Sequence, residues 1–220
     1  MSSIAIIGAG KGLGAAVARK FGAEGFNVAL ISRTQGNVDA LAADLQTAGV
    51  NSRGYAASVR DAEALTAALA RAASELGPID VLEYSPIPQP EFLRPVLDTT
   101  RADLSAAVEF SVLGPFAAVQ HVLPSMRERG QGTLLFVNGS SAVRPNPKVA
   151  GSSVAFAGES AYAQMLHTQL AGSGVHVAQL IIPGAITPGH PTHDPDVLAD
   201  RLWAMHTARD GFRDYAEPLG

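Results

Sequence analysis

The chain has 220 residues, 47% of them hydrophobic and 16% charged, enough apolar material to fill the core of one large α/β domain. A formal net charge of -4 with no clustered run of Lys and Arg argues against nucleic acid as the main partner. Cysteine is absent, which excludes disulfides and thiolate metal sites; the six histidines lack metal-ligand spacing, His190 and His193 standing in a Pro- and Gly-rich loop, so no metal is expected.

The first predicted strand, Ile4 to Ile7, begins close to Met1 with no charged leader ahead of an apolar segment. No uncharged run reaches the length of a membrane span, so the expectation is a soluble, cytoplasmic protein with no membrane partner. That strand runs directly into Gly8-Ala9-Gly10-Lys11-Gly12-Leu13-Gly14 and then an amphipathic helix from Leu13 to Phe21. Glycines let a backbone approach phosphate oxygens, and the free N–H groups and positive dipole end of a helix attract their charge. A glycine cluster alone is a weak sign, because turns need glycine whether or not a ligand binds. Here the cluster lies in a strand-helix-strand unit completed by Asn27 to Ile31, with the strand itself read as Val28 to Ile31, the setting a dinucleotide fingerprint requires.

Further along, strand candidates at Ser52 to Ala56, Ile79 to Tyr84, Thr133 to Asn138 and Val175 to Ile182 alternate with helices. The second helix has the stripe Val38, Leu41, Ala42, Leu45, and the third has Ala62, Leu65, Leu69, Ala72 with Asp61 placed to cap its first turn. A longer helix is predicted from about Arg101 to Arg129, with Thr100 and Asp103 at capping-box spacing and Pro115 and Pro124 expected to kink or divide it. Another ends near Leu170, and a last one starts at Asp194-Pro195 with Leu198, Leu202 and Met205 inward, expected to close over the site. Trp203 and the tail are expected to pack on the core or on another subunit.

Several strands are apolar at every position, as expected when helices cover both faces. The chain is therefore read as one α/β domain over residues 1–220, a doubly wound parallel sheet with helices on both faces and right-handed crossovers. The Pro- and Gly-rich loops Ser85 to Pro95 and Pro183 to Pro195 follow strand C-termini, the edge where open α/β sheets bind ligands.

The spacing Gly8-x-x-x-Gly12-x-Gly14 resembles the nucleotide loop of the short-chain dehydrogenase/reductase family. Gly174-Val175-His176-Val177 and Pro183-Gly184-Ala185-Ile186-Thr187 resemble that family's last strand and its Pro-Gly-x-Ile turn. The resemblance covers essentially the whole chain and implies a Rossmann fold that binds NAD(H) or NADP(H) and acts on a small-molecule carbonyl or alcohol. It also implies a homo-oligomer, dimer or tetramer, paired through long helices, and a substrate lid at about residues 184–210. Carried over residue by residue, the cofactor would meet Gly8, Lys11, Gly12, Leu13, Gly14, Ser32, Arg33, Ser58, Val59, Ser85, Pro183, Gly184 and Ile186. At the end of the second strand, a carboxylate would hold a ribose 2′-hydroxyl and repel a 2′-phosphate. This chain has Ser32 and Arg33 there, with Lys11 as a second cation, which favours NADP(H) over NAD(H).

Several positions depart from the family pattern. Where relatives have an Asn-Asn-Ala-Gly-like turn, this chain has Glu83-Tyr84-Ser85-Pro86, with Tyr84 expected to place a phenol at the sheet edge. Ser58-Val59 replaces an Asp-Val pair, and Ser111 replaces a structural Asn on the long helix. No Tyr-x-x-x-Lys occurs anywhere: an ungapped count puts the family's Tyr at Ser152 and its Lys at Phe156, and the nearest lysine, Lys148, stands in a loop. The family's serine falls on Gly139, beside Ser140 and Ser141. A phenol with pKa near 10 needs a nearby cation to serve as an acid or base at neutral pH, so no catalytic residue is assigned. Tyr84 and Tyr162 are the substitute phenols to consider, Tyr162 being spaced with Leu166 and Leu170 as a core residue. Two functions stay open: an NADP(H)-dependent oxidoreductase with an atypical site, or a non-catalytic nucleotide-binding sensor or partner subunit.

Overall fold

A computed structural model describes residues 2–219. Seven strands form one parallel sheet in the order β3-β2-β1-β4-β5-β6-β7. They are β1 (Ser3–Ile7), β2 (Asn27–Ser32), β3 (Ser52–Ala56), β4 (Ile79–Tyr84), β5 (Gly132–Gly139), β6 (Val175–Ile182) and β7 (Arg213–Tyr215). The first six lie where the sequence places them. β7 is absent from the sequence reading because its polar Arg-Asp-Tyr carries no apolar signal; it pairs only with β6 at the edge of the sheet.

The uninterrupted apolar strands are explained by two cores. Alternate residues Ala5, Ile7, Leu82, Tyr84, Leu134 and Phe136 face one helical layer, and Ile4, Ile6, Val81, Leu135, Ala178 and Leu180 face the other. The first layer holds α3 (Ala62–Leu76), α4 (Arg101–Val108), α5 (Gly114–Arg129) and α6 (Ala150–Gln169). The second holds α1 (Leu13–Ala23), α2 (Gln35–Thr47) and α7 (Pro195–Ala208). Asp61 caps α3, Thr100 and Asp103 form a capping box on α4, and Asp194 caps α7, all as the sequence indicates.

The long helix is divided at one proline and not at the other. A π-helical turn, Glu109–Leu113, joins α4 to α5 just ahead of Pro115, which has no N–H to give to the turn behind it. Pro124 sits inside α5 without ending it. The run Arg101–Arg129 is long and apolar enough to cross a membrane by length and composition, but it packs its apolar side on the sheet. α7 lies against α1 through Arg19–Asp196 and Lys20–Asp200 ion pairs, and Trp203 packs edge-on to Phe21 and Phe26. Only the N-terminal end of α7 reaches the sheet edge where the loops gather, so its body does not cover that edge.

The strand order reverses between β1 and β4, and there the two following loops touch backbone to backbone. Gly8 has φ of 100°, and a Cβ at this position would lie 2.5 Å from the Pro86 nitrogen and 2.7 Å from the Ser85 carbonyl carbon. Neither obstacle is a side chain that can swing away. Gly8→Ala is therefore expected to lower stability by about 3 kcal/mol, from the left-handed backbone plus the overlap, read as a fall in the urea midpoint.

Candidate active site

The loop after β1 is held at its start and open at its end. The Gly8 and Ala9 amides donate to the Ile31 carbonyl at 2.9 and 3.1 Å, and Ala15 and Ala16 donate back to Gly10 and Gly12. Between them, the amides of Lys11, Gly12 and Leu13 have no acceptor within the described chain. α1 has Gly12 at its N-cap position, which gives no side-chain cap, and no acidic residue in its first turn, whereas α3 and α7 carry both. No atom lies within 4 Å of where a Gly12 side chain would begin. Unpaired donors, an uncompensated helix dipole and empty space form a cradle for an anion.

This cradle is one end of a cleft of about 530 Å³ that runs along the C-terminal ends of β1, β4, β5 and β6. Gly8, Lys11, Gly12, Leu13 and Gly14 line one end; Ser85, Pro86, Ile87 and Pro88 form a side; Val137, Asn138, Gly139, Phe156 and Ile182 make the floor and wall. Gly184, Ile186, Pro188 and Pro195 complete the lining. Both loops singled out in the sequence thus border the cleft.

The remaining expected cofactor contacts lie around it. Pro183 sits between lining residues Ile182 and Gly184 without lining the cleft itself. Ser32 ends β2 and Arg33 follows it, exposed and reaching the opposite loop: Gln89, with its amide turned so that both ends find partners, accepts from Arg33 Nη1 at 3.1 Å and donates to Glu91 at 2.7 Å. Neither Lys11 nor Arg33 has an ion-pair partner among the described residues. Ser58 follows β3 and its hydroxyl accepts from the Arg60 amide at 3.3 Å, while Val59 is buried where Gly114 of α5 comes close.

The two candidate phenols are not at the cleft. Tyr84 points into the core instead of standing at the sheet edge, because it alternates with Glu83 along β4; its hydroxyl donates to the Phe110 carbonyl. Burial, then the neighbouring Glu159 carboxylate, drives its pKa well above the ordinary tyrosine value, so it is no acid or base for the cleft. Tyr162 packs its ring 5.4 Å from Phe116, and burial raises its pKa too. Ser152 is buried with an unpartnered hydroxyl, Phe156 forms part of the wall, and Lys148 is exposed in its loop. Ser140 and Ser141 lie in a short 3-10 turn beside the cleft rather than on its lining.

Sequence reasoning missed the floor: Val137, Asn138 and Ile182 were read only as strand residues. Their position at the C-terminal ends of β5 and β6 was the available signal. Two buried carboxyls near this floor were also unanticipated. Glu83 is wholly buried with neither oxygen hydrogen-bonded, and burial pushes its pKa up to about 8, the adjacent Ser85 hydroxyl offsetting part of the rise. Glu159 on α6 is equally buried, its pKa also driven well up by burial, with the Asn138 amide opposing.

The comparisons agree with this geometry. The family described as short chain dehydrogenase matches residues 2–194. A short-chain reductase protein NovJ from Streptomyces niveus is 33% identical over 203 residues, 91% of this chain and 74% of the relative. A human dehydrogenase/reductase SDR family member 4 is 29% identical, over 80% of this chain and 62% of the relative's length. A short-chain dehydrogenase from Rhodopseudomonas palustris superposes with a TM-score of 0.87 at 27% identity, covering 99% of each chain. A metagenomic short-chain oxidoreductase in complex with NADP has the same fold, with a TM-score of 0.85 at 20% identity over 100% of this chain and 98% of that one. Fold and site together define a Rossmann-type dinucleotide-binding protein. The chain belongs to the short-chain dehydrogenase family, a family of NAD(P)-binding oxidoreductases.

Glu83 gives a test of how its burial acts. Its folded pKa of about 8 lies above the ordinary 4.5, so the stability present below pH 4.5 is progressively lost as pH rises to about 8. Glu83→Gln removes that titration. Urea unfolding should find the variant on the order of a few kcal/mol more stable than the wild type at pH 8, at about 1.4 kcal/mol per unit, and close to it at pH 4.5.

Proposed function

We propose that this protein is an NADP(H)-dependent oxidoreductase that interconverts a small-molecule carbonyl and its alcohol, without a Tyr-x-x-x-Lys pair. The observation that carries this reading is the anion cradle at the start of α1, continuous with an apolar cleft and flanked by two unpaired cations. The bound cofactor would supply or accept a hydride. In this assignment the amides of Lys11, Gly12 and Leu13 bind the diphosphate, and Gly12 leaves room for it. Lys11 and Arg33 bind a 2′-phosphate, Arg33 held near the entrance through Gln89. Gly184 and Ile186 border the nicotinamide end, and the apolar walls at Ile87, Pro88 and Phe156 exclude water around the reacting carbon. The stretch at about 184–210 contributes a lid through its first residues. The assigned setting is a soluble, cytoplasmic enzyme.

A second reading, a nucleotide-binding sensor or partner subunit, is favoured by one observation: Phe156 occupies cleft wall where an ungapped count places the family's lysine. NADPH binding with no oxidation across a broad panel of aldehydes and ketones would decide for it.

Cofactor choice is tested at the two cations. Lys11→Ala and Arg33→Ala should each weaken NADPH binding roughly tenfold, a loss of about 1.4 kcal/mol, and leave NADH binding unchanged, measured by Trp203 fluorescence or calorimetry. Equal losses for both cofactors would reverse the assignment. Subunit pairing follows from another surface. Leu113 and Phe116 on the long helical run and Val154 and Met165 on α6 are exposed large apolar side chains on neighbouring helices, which suits a homo-oligomer. Phe116→Asp with Met165→Asp should shift the sedimenting species to a monomer with the far-UV spectrum retained.

A further inference from the structure

Behind the cleft floor, buried polar side chains form a chain of hydrogen bonds that has one permitted direction. It starts at Arg213 on β7, a group that can only donate. Arg213 Nε donates to Gln179 Oε1 at 2.8 Å, and its Nη2 donates to Ser160 Oγ at 2.9 Å. The Ser160 hydroxyl donates to the same Gln179 oxygen at 3.0 Å. With two donors on its oxygen, Gln179 must present Nε2 forward, where it donates to Asn138 Oδ1 at 2.7 Å. The Asn138 amide therefore cannot turn over, and its Nδ2 is fixed as the end of the chain.

That end is unfinished. Asn138 lines the cleft, is 2% exposed, and its Nδ2 has no hydrogen-bond partner. The Glu159 carboxyl lies beside it, close enough for the amide to oppose the rise of its pKa but outside hydrogen-bond geometry. A buried donor left without a partner is costly, so a fixed, unpartnered donor on a residue that lines a cleft points to an acceptor arriving from the cleft. Asn138 is on β5, two strands from β1 and so roughly 10 Å from the glycine loop at strand spacing. Phe156 and Ile182 stand beside it on the lining.

We propose that Asn138 Nδ2 is the donor that holds the reacting oxygen of the substrate, with Gln179, Ser160 and Arg213 as positioning residues. This rests on the oxidoreductase reading above. In the reductive direction the carbonyl carbon gains a hydride from the reduced nicotinamide, which leaves oxidised, and the C=O π pair moves onto oxygen. Asn138 N–H stabilises that developing negative charge and keeps its own protons. The oxygen takes its proton from water in the open cleft, releasing hydroxide. The apolar side chains around Asn138 select an aldehyde or ketone with an aromatic or alkyl flank.

The test uses the full chain with NADPH and 4-nitrobenzaldehyde, following NADPH oxidation, with NADPH affinity measured separately. Asn138→Ala should lower kcat about 100-fold, with NADPH affinity within twofold of wild type. Gln179→Glu cannot donate to Asn138 Oδ1 and frees the amide to turn; it should lower kcat about tenfold with KM little changed. Asn138→Ser, which keeps a donor, should recover part of the loss. Unchanged kcat in Asn138→Ala overturns the proposal. A second measurement covers variants that do not fold and a wild type without turnover: the side-chain amide ¹H–¹⁵N resonances of Asn138 in the wild-type protein, titrated with 4-nitrobenzaldehyde in the presence of NADP⁺. Movement of those resonances supports the donor role, and movement without turnover fails the oxidoreductase reading alone. Absence of movement at saturating aldehyde overturns the donor role.

Discussion

The backbone contact between Gly8 and Ser85-Pro86 is the constraint on which the cleft depends. It joins the ends of β1 and β4 at the reversal of strand order, where successive crossovers turn to opposite sides of the sheet. The loops after β1 and β4 meet there without an intervening side chain, and beyond the contact the Lys11–Leu13 amides have no acceptor within the described chain. From there the opening continues over β5 and β6 to Gly184 and Ile186. A parallel sheet covered on both faces leaves few other places for a ligand, since its broad surfaces are already filled by helices.

The polar groups near the cleft follow a different logic from the core around them. Glu83 and Glu159 lie in apolar surroundings where an ionised carboxylate would be costly, so burial holds both toward the neutral form. The Arg213 guanidinium stands instead at the edge strand, where β7 leaves it partly open to water and two of its donors go to Gln179 and Ser160. Placing the permanent charge at the rim and neutral amides inward lets a buried chain have a fixed direction without a buried ion pair.

Much of the fold was legible in the residues. Alternating apolar strands and striped helices placed six of the strands, and Asp61, Thr100 with Asp103, and Asp194 announced helix starts, because capping and periodicity are local effects. The glycine spacing marked, for the same reason, the loop whose Lys11–Leu13 amides stay without acceptors in the described chain. Less legible were β7, whose polar residues pair only because β6 offers a free edge, and the π turn before Pro115. The direction of Tyr84 was misread: its place at a strand end suggested the cleft, but strand alternation sends it into the core.

By itself the sequence determined the order of elements, the strand-glycine-helix unit and the absence of a Tyr-x-x-x-Lys pair, all properties of neighbouring residues along one chain. Tertiary structure alone decided that Asn138, Phe156 and Ile182 share a cleft with Gly12. It alone decided that Arg33 reaches Gln89, and that Arg213, Ser160, Gln179 and Asn138 join in one line. Those groups are separated by tens of residues and belong to different strands and helices. Their meeting depends on register and packing across the sheet, which no local pattern encodes.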